Sequence, residues 1–169
     1  MTRRSLLALS AALPALLAKG KRYQHPSGFS FELPPGWTAE IGAMAVAVIP
    51  PGGKLDPNRE DNPEVYTIWP AESGADEDLV QATRENLERT GAKPEGGGVN
   101  VGFKSPAGAG TSHTMDFTHP ERKAAYRVRI ISLSIKGRRI ALLATGHRDK
   151  LVAREKDLQE IARSIDYAK

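Results

Sequence analysis

The chain has 169 residues and no cysteine, and its 24 Lys+Arg exceed 20 Asp+Glu for a net charge of +4. Without cysteine there is no disulfide, no lipidated processing site, no Cys nucleophile, no Fe–S cluster and no thiolate zinc site. Arg3, Arg4 and Lys19 precede every acidic residue, so a chain starting at Gly20 holds 21 basic against 20 acidic residues. That balance gives no basic footprint for nucleic acid.

Residues 1–18, MTRRSLLALSAALPALLA, read as a signal peptide. Arg3 and Arg4 form a basic start, Ser5 to Ala18 is a short apolar run, and the composition then turns polar. The run is shorter than the roughly 20 apolar residues that a membrane-spanning helix needs. Thr2-Arg3-Arg4-Ser5-Leu6-Leu7 has the layout of the twin-arginine export signal, whose receptor passes folded cargo. The same residues also fit an ordinary secretory signal that carries two arginines, or an uncleaved anchor. Leu16-Leu17-Ala18 is a poor match to the A-x-A processing pattern. The expected location is periplasmic or secreted.

Residues 19–169 read as a single domain, large enough to bury a core without staples. Phe29 to Leu33 alternates and stops at Pro34-Pro35-Gly36, as a strand before a turn. Ala43 to Ile49 predicts a buried strand ended by Pro50-Pro51-Gly52-Gly53. Lys54 to Pro63 is a polar loop, and Val65 to Trp69 a short strand closed by Pro70. A helix follows: Ser73-x-x-Asp76 resembles a capping box, Leu79, Val80, Ala82 and Leu87 form a narrow apolar stripe, and Gly91 stands past the end. Strands are predicted around Val99 to Lys104 and Gly110 to Phe117.

Tyr126 to Thr145 predicts a hairpin turning at Lys136-Gly137. Its register sets Leu133 opposite Ile140, Ile131 opposite Leu142 and Ile130 opposite Leu143. Ile131, Leu133, Ile140 and Leu142 then share one face, and Tyr126, Val128, Ile130 and Leu143 the other. A ribbon apolar on both sides belongs at the centre of a sheet covered on both faces. A last helix places Leu151, Leu158, Ile161, Ala162 and Ile165 on one side, with Asp149 as its cap. The fold class is α+β: an α/β/α sandwich with a mainly antiparallel sheet flanked by two helices.

Tyr23-x-x-Pro26-x-Gly28-Phe29-Ser30-Phe31-x-x-Pro34-x-Gly36-Trp37 resembles the opening of the PsbP-like domain superfamily. Arg139 to Gly146 and the closing Ile161-Ala-x-Ser164-Ile165 are similar to its last hairpin strand and helix. The resemblance extends to DcrB-like envelope proteins and to the Ran-binding nuclear import factor of the same fold. It implies the same α/β/α sandwich and a role in binding or assembling other proteins, and it supplies no catalytic residues to carry over.

His113, Met115, Phe117 and His119 share one strand face, with Asp116 on the other. His113 and His119 lie about 20 Å apart along an extended strand, too far to chelate one ion. His113, Asp116 and His119 are the candidate residues of an alternative function, a periplasmic metal- or small-ligand-binding protein; otherwise these are surface or rim histidines. Gly108-Ala-Gly-Thr-Ser112 lacks the Gly-Lys-Ser/Thr of a phosphate loop. No Gly-x-Ser-x-Gly elbow exists, and Ser112 and His113 point to opposite faces. Asp56, Asn58, Glu60, Asp61, Asn62 and Glu64 make an acidic loop without EF-hand spacing. Trp37 reads as a core anchor.

The remaining feature is a set of basic residues, Lys104, Arg122, Lys123, Arg127, Arg129, Arg138 and Arg139. Arginine is favoured at protein interfaces. The reading is an exported, non-catalytic binding or assembly domain without cofactor. It docks to an unidentified envelope protein through Arg127, Arg129, Arg138 and Arg139, and meets a membrane only through signal recognition or an uncleaved anchor.

Overall fold

A computed structural model describes residues 20–55, 65–71 and 76–168. The signal segment, the acidic loop at Asp56–Glu64 and the proposed cap at Ser73 lie outside the described residues. The element order is β1 (Lys21–Gln24), β2 (Phe29–Leu33), β3 (Thr38–Ile41), β4 (Val46–Ile49), β5 (Tyr66–Ala71), α1 (Asp76–Arg89), β6 (Lys93–Pro94), β7 (Val99–Lys104), β8 (Ala109–His119), β9 (Ala124–Ile135), β10 (Arg138–His147), α2 (Arg148–Ala153), α3 (Glu155–Ser164) and β11 (Asp166–Tyr167).

Every pairing is antiparallel. The large sheet runs β3-β4-β5-β10-β9-β8-β6, and β7 pairs β8 beside β6. A small sheet, β1-β2-β11, is separate from it. The architecture is α+β, as the sequence pattern predicts.

The β9–β10 hairpin occupies the middle of the large sheet because it is apolar on both faces. Its register is the expected one, with Leu133 opposite Ile140, Ile131 opposite Leu142 and Ile130 opposite Leu143. Lys136 (φ 51°) and Gly137 (φ 74°) both take left-handed backbone, as a two-residue hairpin turn requires. On one face Ile131, Leu133, Ile140 and Leu142 pack with Phe29, Phe31 and Leu33 of β2, and with Leu151, Leu158 and Ile161 of α2 and α3. On the other, Val128 and Ile130 join Met115 and Phe117, against Leu79, Val80 and Leu87 of α1. Trp37 is buried in the main core, and its Nε1–H donates to Asp157 Oδ2 at 3.1 Å.

The structure differs from the sequence pattern at three places. The strand expected from Ala43 begins at Val46, because Gly42 N–H donates to Ala45 O and closes a turn there. The last helix is kinked: Arg154, at φ −101° and ψ 4°, leaves helical backbone and divides α2 from α3. The bend lets Leu151 and the Leu158–Ile161 stripe bury in one core. Asp149 does not cap that helix. It sits in the first turn of α2, His147 holds the cap position, and no side chain caps it.

Candidate functional site

The seven basic residues do not form one patch. Arg127 lies opposite Gly146 and Arg138 opposite Ile135, eight steps along one strand, about 26 Å apart. Arg122 and Lys123 lie in the β8–β9 connection, at the same end as Arg127 and Arg129. Lys104, opposite Ala109, belongs with Arg138 and Arg139 near the other end.

Arg127 and Arg129 are held in ion pairs. Arg127 Nε–H and Nη2–H donate to the two carboxylate oxygens of Asp116 at 2.7 and 2.8 Å. Arg129 Nη1 meets Glu155 Oε1 of α3 at 2.6 Å. Arg148 extends the row, with Nη2 2.6 Å from Glu95 Oε2 and Nε 3.7 Å from Asp116 Oδ1. The hydrogen bond from Arg127 holds the Asp116 carboxyl below the ordinary carboxylate range, against the opposing effect of burial. This end is a charge-compensated row that ties α2 and α3 to the sheet.

The turn end of the hairpin is built differently. Arg138 is exposed and lies over the ring of Tyr167 at 4.0 Å, donating from Nη2 to Ser27 O at 3.0 Å. Lys136 Nζ–H donates to Tyr167 O and lies 3.2 Å from Asp166 Oδ1. Arg139 is half-buried and reaches Ser132 Oγ at 3.4 Å. These residues adjoin the outer face of the small sheet, where side-chain alternation sets Arg22, Gln24, Ser30, Glu32 and Asp166 together. A depression of about 370 Å³ there is lined by Arg22, Gln24, Ser30 and Asp166, among others. A second, of about 320 Å³, shares Arg22 and Asp166 and reaches Glu32 and Arg163. Arg22 stands between them, bonded to Glu32 Oε1 at 2.9 Å and Ser30 Oγ at 2.7 Å.

Arg22, Lys136 and Asp166 were not singled out by sequence reasoning. β1 and β11 meet only through β2, and residues 144 positions apart in the chain share a surface through that pairing alone.

The candidate metal ligands are not brought together. His113 and His119 face the α1 side of β8, while Asp116 faces α3 and is engaged by Arg127. Among the described residues, no group of three His, Asp or Glu side chains could hold a metal ion. His119, read as a surface or rim residue, is instead buried and bonded, and so is His25. His119 Nε2–H donates to Thr90 O at 2.8 Å, and Arg122 N–H donates to its Nδ1 at 3.4 Å. His25 bonds through Nε2–H to Gly42 O at 3.0 Å and accepts at Nδ1 from Ser27 N–H at 3.1 Å. His113 is half-buried with Nε2 unbonded, and burial, then the charge of Arg84, lowers its pKa.

The chain matches no protein-family model and no curated protein. It is similar to solved structures. The cyanobacterial PsbP protein CyanoP from Synechocystis sp. PCC 6803 aligns over 95% of this chain and 99% of its own, at 12% identity and a TM-score of 0.53. A crystal structure from Bacteroides thetaiotaomicron VPI-5482 aligns over 89% of this chain at 15% identity and a TM-score of 0.52; the chain spans 49% of that protein's length. LpqN of Mycobacterium tuberculosis, involved in cell envelope biogenesis, aligns over 89% of this chain and 86% of its own at 11% identity, with a TM-score of 0.46. The chain has the PsbP-like fold, as the Gly28-Phe29-Ser30-Phe31 strand and its Pro34-x-Gly36-Trp37 turn imply.

Proposed function

We propose that this protein is an exported, non-catalytic binding or assembly domain that docks to an envelope protein. One observation carries the reading. The turn of the central hairpin sets exposed Arg138 and Lys136 beside an open depression bounded by Arg22 and Asp166. Arginine is enriched at protein interfaces, where its planar fork meets carboxylates. The contact role falls on Arg138 and Arg139, whereas Arg127 and Arg129 serve the fold through Asp116 and Glu155. The PsbP-like fold agrees with a binding role without assigning one, since fold alone does not set function. Among the described residues no helix is long and apolar enough to cross a membrane. Export rests on the twin-arginine segment.

The test is affinity capture of the tagged protein from its native envelope, with mass spectrometry of the retained proteins. R138E/R139E is expected to stay folded and lose the partner, even though it gives up the Arg138 contacts to Tyr167 and Ser27 O and the Arg139 bond to Ser132 Oγ. R127E/R129E is expected to lower the melting temperature through loss of its ion pairs. Retention of the same partner by folded R138E/R139E overturns the assignment.

A further inference from the structure

Among the described residues, the outer strand β7 has a neighbour, β8, on one side only. Its residues Val99 and Val101 are 62% and 51% exposed, on the same face as Phe103, which is buried under the guanidinium of Arg163. An edge of this kind offers unpaired backbone N–H and C=O groups together with an apolar strip. Proteins ordinarily protect such edges with charge, proline or a covering element. β7, Val-Asn-Val-Gly-Phe-Lys, has no proline, no acid and one charge, Lys104, at its end. The opposite outer strand, β3, carries the exposed charge of Glu40.

We propose that β7 pairs with β7 of a second copy of this chain, antiparallel and centred on Val101, giving a two-fold dimer with one continuous sheet. The sequence of the strand selects this occupant. A two-fold axis perpendicular to the sheet keeps the α3 side of both copies on the same side, so residues directly opposite must share a face. Centring on Val101 then sets Val101 against Val101 and Val99 against Phe103, apolar on apolar, with Asn100 against Gly102. The two Lys104 residues fall at opposite ends of the pair, about 20 Å apart along the strands, so no like charges meet. The contact is isologous and closes on itself. Pairing β7 of one copy with β3 of the next is head-to-tail and does not close. Each copy contributes one strand of six residues, a small contact beside the roughly 800 Å² per partner of a standard interface. The dimer is therefore weak and concentration-dependent.

Sedimentation velocity of the purified protein from low micromolar to millimolar concentration tests it. The expected result is a monomer that converts to dimer, with backbone hydrogen exchange of residues 99–104 slowing as concentration rises. V101K and V101D, placed at an exposed position, should each raise the dimer dissociation constant about tenfold or more. Mixed in equal amounts, they should recover a heterodimer, because Lys and Asp then meet across the axis. Circular dichroism melts check that both variants fold, and the concentration dependence of exchange in the unaltered protein reads the same contact without any substitution. A monomer at every concentration overturns the proposal. So does a dimer that both variants leave intact, or a mixture that fails to associate.

Discussion

Asp116 and Arg127 stand directly opposite each other on β8 and β9, and both guanidinium–carboxylate bonds, 2.7 and 2.8 Å, are made. The pair is a quarter exposed on each side, and Arg148 approaches the same carboxylate. Paired geometry of this kind is among the stronger polar contacts, because the planar fork fits the carboxylate with little further ordering. D116N is expected to lower stability by about 1–2 kcal/mol at neutral pH, read by urea unfolding. The folded carboxyl titrates below its ordinary value of 3.8, so the unfolded chain takes up the proton first as pH falls. The contribution is thus complete above that value and is lost as pH falls through the folded one. The gap between the native protein and D116N should close in acid; a gap constant down to pH values well below the ordinary one contradicts this account.

His113 shifts stability in the same direction for a different reason, because burial disfavours its charged form rather than a partner favouring it. It lies opposite Asn100 of β7, with Arg84 of α1 and Gly98 nearby, and burial lowers its pKa from 6.5. The unfolded chain then binds more protons between the folded value and 6.5, so stability falls as pH drops through that window. H113Q should remove this slope, and R84M should raise the histidine pKa measured by NMR titration. Equal slopes in the native protein and H113Q exclude His113 as the source.

The bond from His119 to Thr90 O ties the C-terminal end of α1 to β8. α1 packs on the smaller of the two cores, through Leu79, Val80 and Leu87. H119F leaves a carbonyl without its donor and is expected to lower stability by about 1–2 kcal/mol. Hydrogen exchange should speed up in α1 more than in β9 and β10, since regions with fewer buried contacts open locally first. Uniform acceleration across the protein contradicts a local tie.

Trp37 and Asp157 link the turn after β2 to α3. W37F and D157A each remove the 3.1 Å bond, and in a double-mutant cycle the second change should cost less than it does alone, by roughly 0.5–1.5 kcal/mol. Additive losses show that the indole acts by packing alone, against Tyr66 at 5.9 Å and beneath Arg154.

The central hairpin was legible residue by residue because its information is local. Lys136-Gly137 defines the turn, the turn defines the register, and alternation then assigns Ile131 and Ile130 to opposite faces. The stripes of α1 and α3 were legible for the same reason, since helical periodicity needs no knowledge of the partner surface. β1 and β3 were not recognised. Their exposed, mainly polar residues lack the contrast between faces that marks a strand, and their pairing with β2 and β4 supplies what their composition does not. β11, with only two residues, is a strand by virtue of β2 alone.

The sequence by itself determined the α+β class, the doubly covered hairpin and the likeness of the opening and closing motifs to the PsbP-like fold. It also supplied the arginines but not their meaning. Charge carries no periodicity, so nothing in the chain separated Arg127 and Arg129 from Arg138 and Arg139. Only the tertiary structure set Asp116 and Glu155 against the first pair and left Arg138 exposed beside Arg22 and Asp166. Whether a side chain is free to meet a partner depends on which strands and helices become neighbours, and that is decided by long-range pairing rather than by local pattern.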